Sequence, residues 1–217
     1  MLVLASASPR RRELLAQAGF SFEVHPAHIP EDPHPNEDPV AYVIRLAREK
    51  AQTVYRKLAL KGHDFSRAEC DARKARALAT EGRFSETLAV LGADTTVTLD
   101  NHILGKPEDS ADAARMLRLL SGRTHRVITG VALVTTARTE VASESTAVRF
   151  LTLSEEEIAA YIATGEPMDK AGAYAIQGRA ARWIPRVEGC YFNVVGLPIA
   201  LVCTLLAACR AADSPGR

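Results

Sequence analysis

The chain has 217 residues, 27 basic against 26 acidic, a formal net charge of +1 and 47% hydrophobic residues. That length buries a full core, and one α/β domain is the default architecture for it. The near-neutral balance excludes the broad positive field that nucleic acid or an anionic membrane would select, so any polyanion must be bound locally.

A short apolar strand, Leu2 to Leu4 with Ala5, breaks into Ser6, Ala7, Ser8, Pro9, Arg10, Arg11 and Arg12, after which Leu14, Leu15 and Ala18 recur at helical spacing. Ser8 is the predicted cap, with Pro9 in the first turn. Unpaired N–H groups at a helix start, the helix dipole and arginine forks together form an anion site; the plainer alternative is a cap followed by solvated arginines. Residues 25–39, rich in Pro and acid, read as a loop into a second helix carrying Tyr42, Val43, Leu46, Ala47 and Lys50. Its acids Glu31, Asp32, Glu37 and Asp38 are either cation ligands or solvated. Alternating charge over about 57–87 reads as an exposed helical insertion, with three roles open: a lid, a dimer contact or none.

A strand over 88–91 is expected to end at Gly92, Ala93, Asp94 and Thr95, and a hairpin follows, 96–99 against 102–104, turning at Asp100 and Asn101. Ser110 is the expected cap of a helix with Ala113, Met116, Leu117 and Leu120 on its apolar face and Gly122 at its end. Two β-type runs, 127–135 and 141–151, precede a capping box of Ser154 and Glu157 that starts a helix through Ile158, Tyr161 and Ile162 to Gly165. The Gly-rich stretch 165–178, a strand-like run 190–195 and a terminal helix from 198 complete the pattern, with a disordered tail at about 211–217. Helices and strands alternate without repeats while the hairpins argue against a purely parallel sheet, which predicts an α/β fold with a mixed, twisted central sheet covered by helices on both faces. The apolar run 198–209 is shorter than the ~20 residues of a membrane span. Cys70, Cys190, Cys203 and Cys209 show neither C-x-x-C spacing nor a histidine at ligand spacing, and Met1 leads directly into the first strand. Free thiols in a reducing cytoplasm are expected.

Asp94, at an expected strand end, is the acid to single out, since strand ends of α/β proteins open onto ligand crevices; the alternative is an Asp that caps a turn. Lys50 and Lys106 are either phosphate clamps or surface lysines. His125 reads as a structural histidine, and Glu166, Asp169 and Lys170 as a loop rim or plain turn residues.

Seven stretches in order, L-A-S-A-S-P-R-R at 4–11, R-L-A-R-E-K-A at 45–51, L-G-A-D-T at 91–95, I-L-G-K-P at 103–107, L-S-G-R-T-H at 120–125, D-K-A-G-A-Y-A-I-Q-G at 169–178 and N-V-V-G-L-P at 193–198, together resemble the Maf family of nucleoside triphosphate pyrophosphatases. The resemblance implies the fold shared with inosine triphosphate pyrophosphatases and hydrolysis between the α and β phosphates, with Mg²⁺ or Mn²⁺. It implies Asp94 as proton acceptor, Arg10, Thr95 and Gln177 in substrate choice, and Ser6, Arg11, Lys50 and Lys106 around the phosphates. Glu31 and Asp94 are the implied metal ligands. Two residues depart from the family's usual pattern, Thr96 in place of valine and Ala175 in place of glycine, and neither has a polar role there. The stretch around Gln177 and the Gly189, Cys190, Tyr191 run resemble the dTTP and UTP branch. Two readings compete: the 7-methyl-GTP branch, and a nucleotide-responsive regulator of septum formation. A homodimer is compatible with either. A nucleic-acid binder is disfavoured by the neutral charge and by 6% aromatic residues.

Overall fold

The computed structural model describes residues 1–61, 88–100 and 102–213. Seven strands form one sheet: β1 (Leu2–Leu4), β2 (Glu23–Val24), β3 (Ala89–Leu99), β4 (His102–Leu104), β5 (Thr124–Thr135), β6 (Thr139–Arg149) and β7 (Arg186–Glu188). Their order is β2-β1-β3-β5-β6-β7, with β4 folded back on the far end of β3. The β1 pairings with β2 and β3 are parallel and the others antiparallel, so the sheet is mixed as expected.

Alternation along the strands decides what each face carries. On one face, Val3, Val90, Ala132 and Val134 pack on Ala47, Ala51 and Val54 of helix α2 (Pro39–Lys61). On the other, Leu2, Leu4, Leu91, Ala93, Val131 and Leu133 meet Leu14 and Leu15 of α1 (Pro9–Gln17) and Val202, Leu205 and Leu206 of the terminal helix, α6 (Ile199–Asp213). Val97, Val127, Val148 and Phe150 continue that face under α3 (Ser110–Leu120) and α4 (Glu155–Ile162). Helices therefore cover both faces, which the sequence pattern anticipated.

Two glycines set how close α2 lies. A Cβ on Gly92 would stand 2.1 Å from the Ala47 carbonyl oxygen, and one on Gly130 would stand 2.3 Å from that of Val43. The helix backbone thus rests directly on β3 and β5, which brings Lys50, one turn beyond Ala47, over the sheet.

Four expectations need correction. The runs 88–91 and 96–99 are a single strand, so Asp94 lies in its middle and not at an end. The end that opens the crevice belongs to β1, which stops at Leu4 opposite Leu91. Asp109, not Ser110, caps α3, accepting the Asp112 N–H. The run 190–195 is no strand but the short helix α5 (Tyr191–Val195), despite its β-prone residues. Asn193 explains it: its buried amide donates to the Val127 carbonyl and to Thr146 Oγ1, a bond pair that draws the backbone down onto the sheet. Residues 211–213 of the expected tail continue α6, and the rest of it lies outside the described residues. Of the charged insertion at about 57–87, residues 57–61 prolong α2, and 62–87 lie outside the described residues.

His125 is buried between Phe150 and Tyr174, its Nε2 2.8 Å from the Tyr174 hydroxyl. Burial pushes its pKa down to about 4, the behaviour of a structural imidazole. Cys190, Cys203 and Cys209 are free thiols, and Cys70 lies outside the described residues. Among the described residues no helix is long and apolar enough to cross a membrane.

Candidate active site

Where β1 ends, β3 continues beside β5 and presents Asp94 on its α2 face. The Lys50 ammonium, reaching from α2, lies 2.6 Å from Asp94 Oδ1 and 2.6 Å from Glu31 Oε1. Lys50 and Asp94 are buried, whereas the Glu31 side chain is 46% exposed. Burial pushes the Glu31 carboxyl up, but the Lys50 hydrogen bond and the charges of Lys50, Lys106 and Arg11 outweigh it, leaving the pKa below the usual carboxylate value. No described hydrogen bond engages Asp94 Oδ2, which leaves that oxygen for a water or a metal.

Glu31 sits on a loop, and α2 holds that loop. The Tyr42 hydroxyl donates to the Glu31 carbonyl at 2.7 Å. Arg45 grips Glu37 with Nε and Nη2 at 2.6 and 2.7 Å and also donates to the Asp32 carbonyl. The Arg45 hydrogen bond takes the Glu37 carboxyl down to about 2. Burial, reinforced by Asp94 and Glu31, raises the Tyr42 phenol to about 12, so it remains a donor. Asp38 accepts the N–H groups of Val40 and Ala41 at the start of α2. The four acids thus divide: Glu37 and Asp38 anchor and cap, Asp32 lines the rim, and Glu31 alone meets Asp94 across Lys50.

The other face of β3 is built differently. Arg11 donates from Nε to the Gly196 carbonyl (2.7 Å), from Nη1 to the Ala93 carbonyl (2.8 Å) and Ser6 Oγ (3.2 Å), and from Nη2 to Thr95 Oγ1 (2.9 Å). These bonds occupy four of the five guanidinium N–H groups. Thr95 Oγ1 is 2.9 Å from Thr129 Oγ1, and Thr129 donates to the Asn193 carbonyl. Arg11, Ser6 and Thr95 therefore tie α1, β3 and the α5 turn together. Burial lowers the Arg11 pKa despite the nearby charges of Asp94 and Glu31, and a guanidinium stays charged throughout the ordinary pH range.

Both arrangements open onto one cleft of about 1110 Å³. Its wall includes each residue to which the family resemblance gave a role: Ser6, Arg10, Arg11, Glu31, Lys50, Asp94, Thr95, Lys106 and Gln177. Arg10 is half-buried and Lys106 exposed, Lys170 pairs with Asp169 at the rim, and Gln177 is exposed. Sequence reasoning missed Tyr42, Thr129 and Asn193. The last two carried a signal, a polar residue inside an apolar run.

No group of three or more His, Cys, Asp or Glu side chains among the described residues is placed to hold a metal. Two carboxylates converging on one point nevertheless suit a divalent cation of the Mg²⁺ type, which takes one or two carboxylates and completes its shell with substrate oxygens and water.

A family model described as Maf-like protein matches residues 1–209. The chain belongs to the Maf family. Family relatives include the dTTP/UTP pyrophosphatase of Koribacter versatilis, 51% identical over 201 residues, which are 93% of this chain and 90% of that one. Those of Geobacter sulfurreducens and Bacillus pumilus are 49% and 43% identical, each spanning 91% of its own length and 91% and 92% of this chain.

Proposed function

We propose that the chain acts as one catalytic unit, a metal-dependent pyrophosphatase that converts dTTP and UTP to the monophosphate and pyrophosphate. The observation that carries this reading is the buried Lys50 bridging Asp94 and Glu31 on the floor of a cleft whose rim offers further cations. Relatives named for the same activity, matched over nearly their whole length, support it.

In this reading Arg10 and Lys106 receive the triphosphate, whose roughly four negative charges need guanidinium, ammonium and metal to spread them. Glu31 and Asp94 would hold a divalent cation, which supplies charge neutralisation at the phosphates when bound. Lys50 fixes Asp94 through Oδ1, and Oδ2 orients and deprotonates the attacking water. Arg11 braces the wall that carries Ser6 and Thr95, with one N–H remaining for a phosphate oxygen. Gln177 reads the base: its amide offers a donor and an acceptor to the 4-carbonyl and N3–H that uracil and thymine share, where cytosine carries an amino group and an unprotonated nitrogen. Lys50 is a buried positioning cation and Asp94 the base.

The test is kcat/KM over a panel of UTP, dTTP, CTP, ATP, GTP and 7-methyl-GTP with product identification. UTP and dTTP lead with pyrophosphate released; a purine as best substrate, or phosphate as product, overturns the assignment. Gln177→Ala is expected to lower the UTP:CTP ratio by about tenfold, the effect of a lost base-reading hydrogen bond.

A further inference from the structure

Gln177 stands in a turn whose two ends are held by a pair of side chains that do not line the cleft. The Tyr161 hydroxyl accepts the Ala175 N–H at 3.2 Å and donates to Glu166 Oε1 at 2.8 Å. Glu166 in turn accepts the Arg179 N–H, at 3.0 Å on Oε1 and 3.3 Å on Oε2. The turn closes on itself through the Gly178 N–H and the Ala175 carbonyl. A continuous chain of bonds therefore runs from Ala175 through Tyr161 and Glu166 to Arg179 and brackets Gln177.

Each member of this chain is itself fixed. Tyr161 is buried, with its ring edge-on to Trp183 at 5.1 Å. Burial and the Glu166 hydrogen bond both raise the Tyr161 pKa, so the phenol stays a donor. Thr164 Oγ1 donates to the Tyr161 carbonyl and accepts the Glu166 N–H, which seats the carboxylate-bearing residue on the end of α4. Gly178 leaves the room: a Cβ there would stand 1.9 Å from Glu166 Oε1, although its φ of −105° suits any residue. Glu166, expected from the sequence as a rim or turn residue, faces inward and ties two segments together. Gln177 is exposed, so its amide takes its direction from the backbone that carries it. A loosened turn would cost that amide its aim at the base, because discrimination by hydrogen bonding depends on preorganised geometry.

We propose that Tyr161 and Glu166 are positioning residues for base selection: their clamp fixes the turn presenting Gln177 and so sets the preference for uracil- and thymine-type triphosphates over CTP. The inference rests on the reading of Gln177 as the base contact.

The experiment measures kcat and KM for UTP and CTP on the full chain carrying Tyr161→Phe, Gly178→Ala, Glu166→Gln, Gln177→Ala, or Tyr161→Phe with Gln177→Ala. Tyr161→Phe removes the middle link at nearly constant volume, and Gly178→Ala displaces Glu166 from the other side without straining the backbone. Each is expected to lower the UTP:CTP ratio of kcat/KM about three- to tenfold while kcat on UTP changes less than about threefold. Glu166→Gln, which keeps an acceptor oxygen, retains most of the ratio. The double variant discriminates no worse than Gln177→Ala alone, since the clamp acts through Gln177. Equal losses on both substrates with an unchanged ratio overturn the inference, as do multiplying losses in the double variant. A ratio moved by Gln177→Ala but by neither clamp variant overturns the clamp alone; a ratio unmoved by Gln177→Ala removes the base contact and the clamp with it. Should Tyr161→Phe fail to fold, Gly178→Ala and Glu166→Gln decide the matter.

Discussion

Asp94 and Thr95 are neighbours on β3, yet they belong to two polar regions of opposite construction. On the α2 face Asp94 meets Lys50 and a half-exposed Glu31, charge against charge, with a carboxylate oxygen left over. On the other face Thr95 meets Arg11, whose guanidinium is bonded mainly to carbonyls and hydroxyls of three separate segments. A cation paired with carboxylates, one of them half-exposed, can exchange partners when a metal or triphosphate arrives. A guanidinium with four of its five N–H groups bonded to carbonyls and hydroxyls of separate segments cannot exchange them without opening the fold, so it acts as a brace. Two cations that line the same cleft are thus expected to differ in what their removal damages.

The largest expected effect breaks the α2 side. Asp94→Asn keeps the shape and removes the base, so kcat falls by roughly 10² to 10⁴, while calorimetric binding of a non-hydrolysable UTP analogue persists because ground-state affinity comes from the phosphate contacts. Binding lost in parallel with turnover would make Asp94 a substrate anchor instead.

Gly130→Ala attacks the same side through its scaffold. The new methyl meets the Val43 carbonyl oxygen at 2.3 Å, a backbone contact that only a shift of α2 can relieve. A loss of about 3 kcal/mol in chemical denaturation is expected, as for an overpacked core, together with reduced turnover as Lys50 moves off Asp94. Wild-type stability and kcat in this variant would show that the close helix approach does not set the site.

His125 is the contrast case, a buried polar ring whose Nδ1 has no hydrogen-bond partner among the described residues. Its native pKa of about 4 lies below the ordinary imidazole value of 6.5, so from pH 6.5 down to about 4 the unfolded chain binds a proton that the native state refuses. Stability from this group is complete above pH 6.5 and falls by about 3 kcal/mol across that window. Denaturation midpoints of the wild type and His125→Gln, followed from pH 7 to 4.5, should converge at low pH; parallel curves would rule the residue out.

The smallest effect sharpens the opposite side. Arg11→Lys keeps the charge but loses the fork, leaving the Ala93 and Gly196 carbonyls short of donors, and about 2 kcal/mol of stability should go with it. Fractional losses in calorimetric affinity for a non-hydrolysable UTP analogue and for free uridine should be similar if the brace is structural. A loss confined to the triphosphate would move Arg11 into the phosphate site proper.

Much of this was legible in the residues themselves. Ser8 and Pro9 start α1, Ser154 and Glu157 box the start of α4, and the 3.6- and 2-residue periods mark the apolar faces, because capping and amphipathicity are local and a side chain's own chemistry suffices to show them. The family motifs likewise named Asp94, Lys50, Lys106 and Gln177, which the fold gathers around one cleft.

What the sequence could not contain is how separated segments share their polar groups. Whether 92–95 interrupts a strand depends on β5, which pairs with that stretch residue by residue and holds it extended through Asp94. Whether 190–195 is strand or helix depends on a buried amide finding Val127 and Thr146, residues 66 and 47 positions away. The sorting of four acids into one cleft carboxylate, one anchor, one cap and one rim residue depends on Arg45 and Tyr42 reaching across from α2. The chain alone determines which residues are able to bond, cap or ionise; which of them meet is decided only when the sheet closes, since a buried donor or acceptor must take whatever partner tertiary packing brings within about 3 Å.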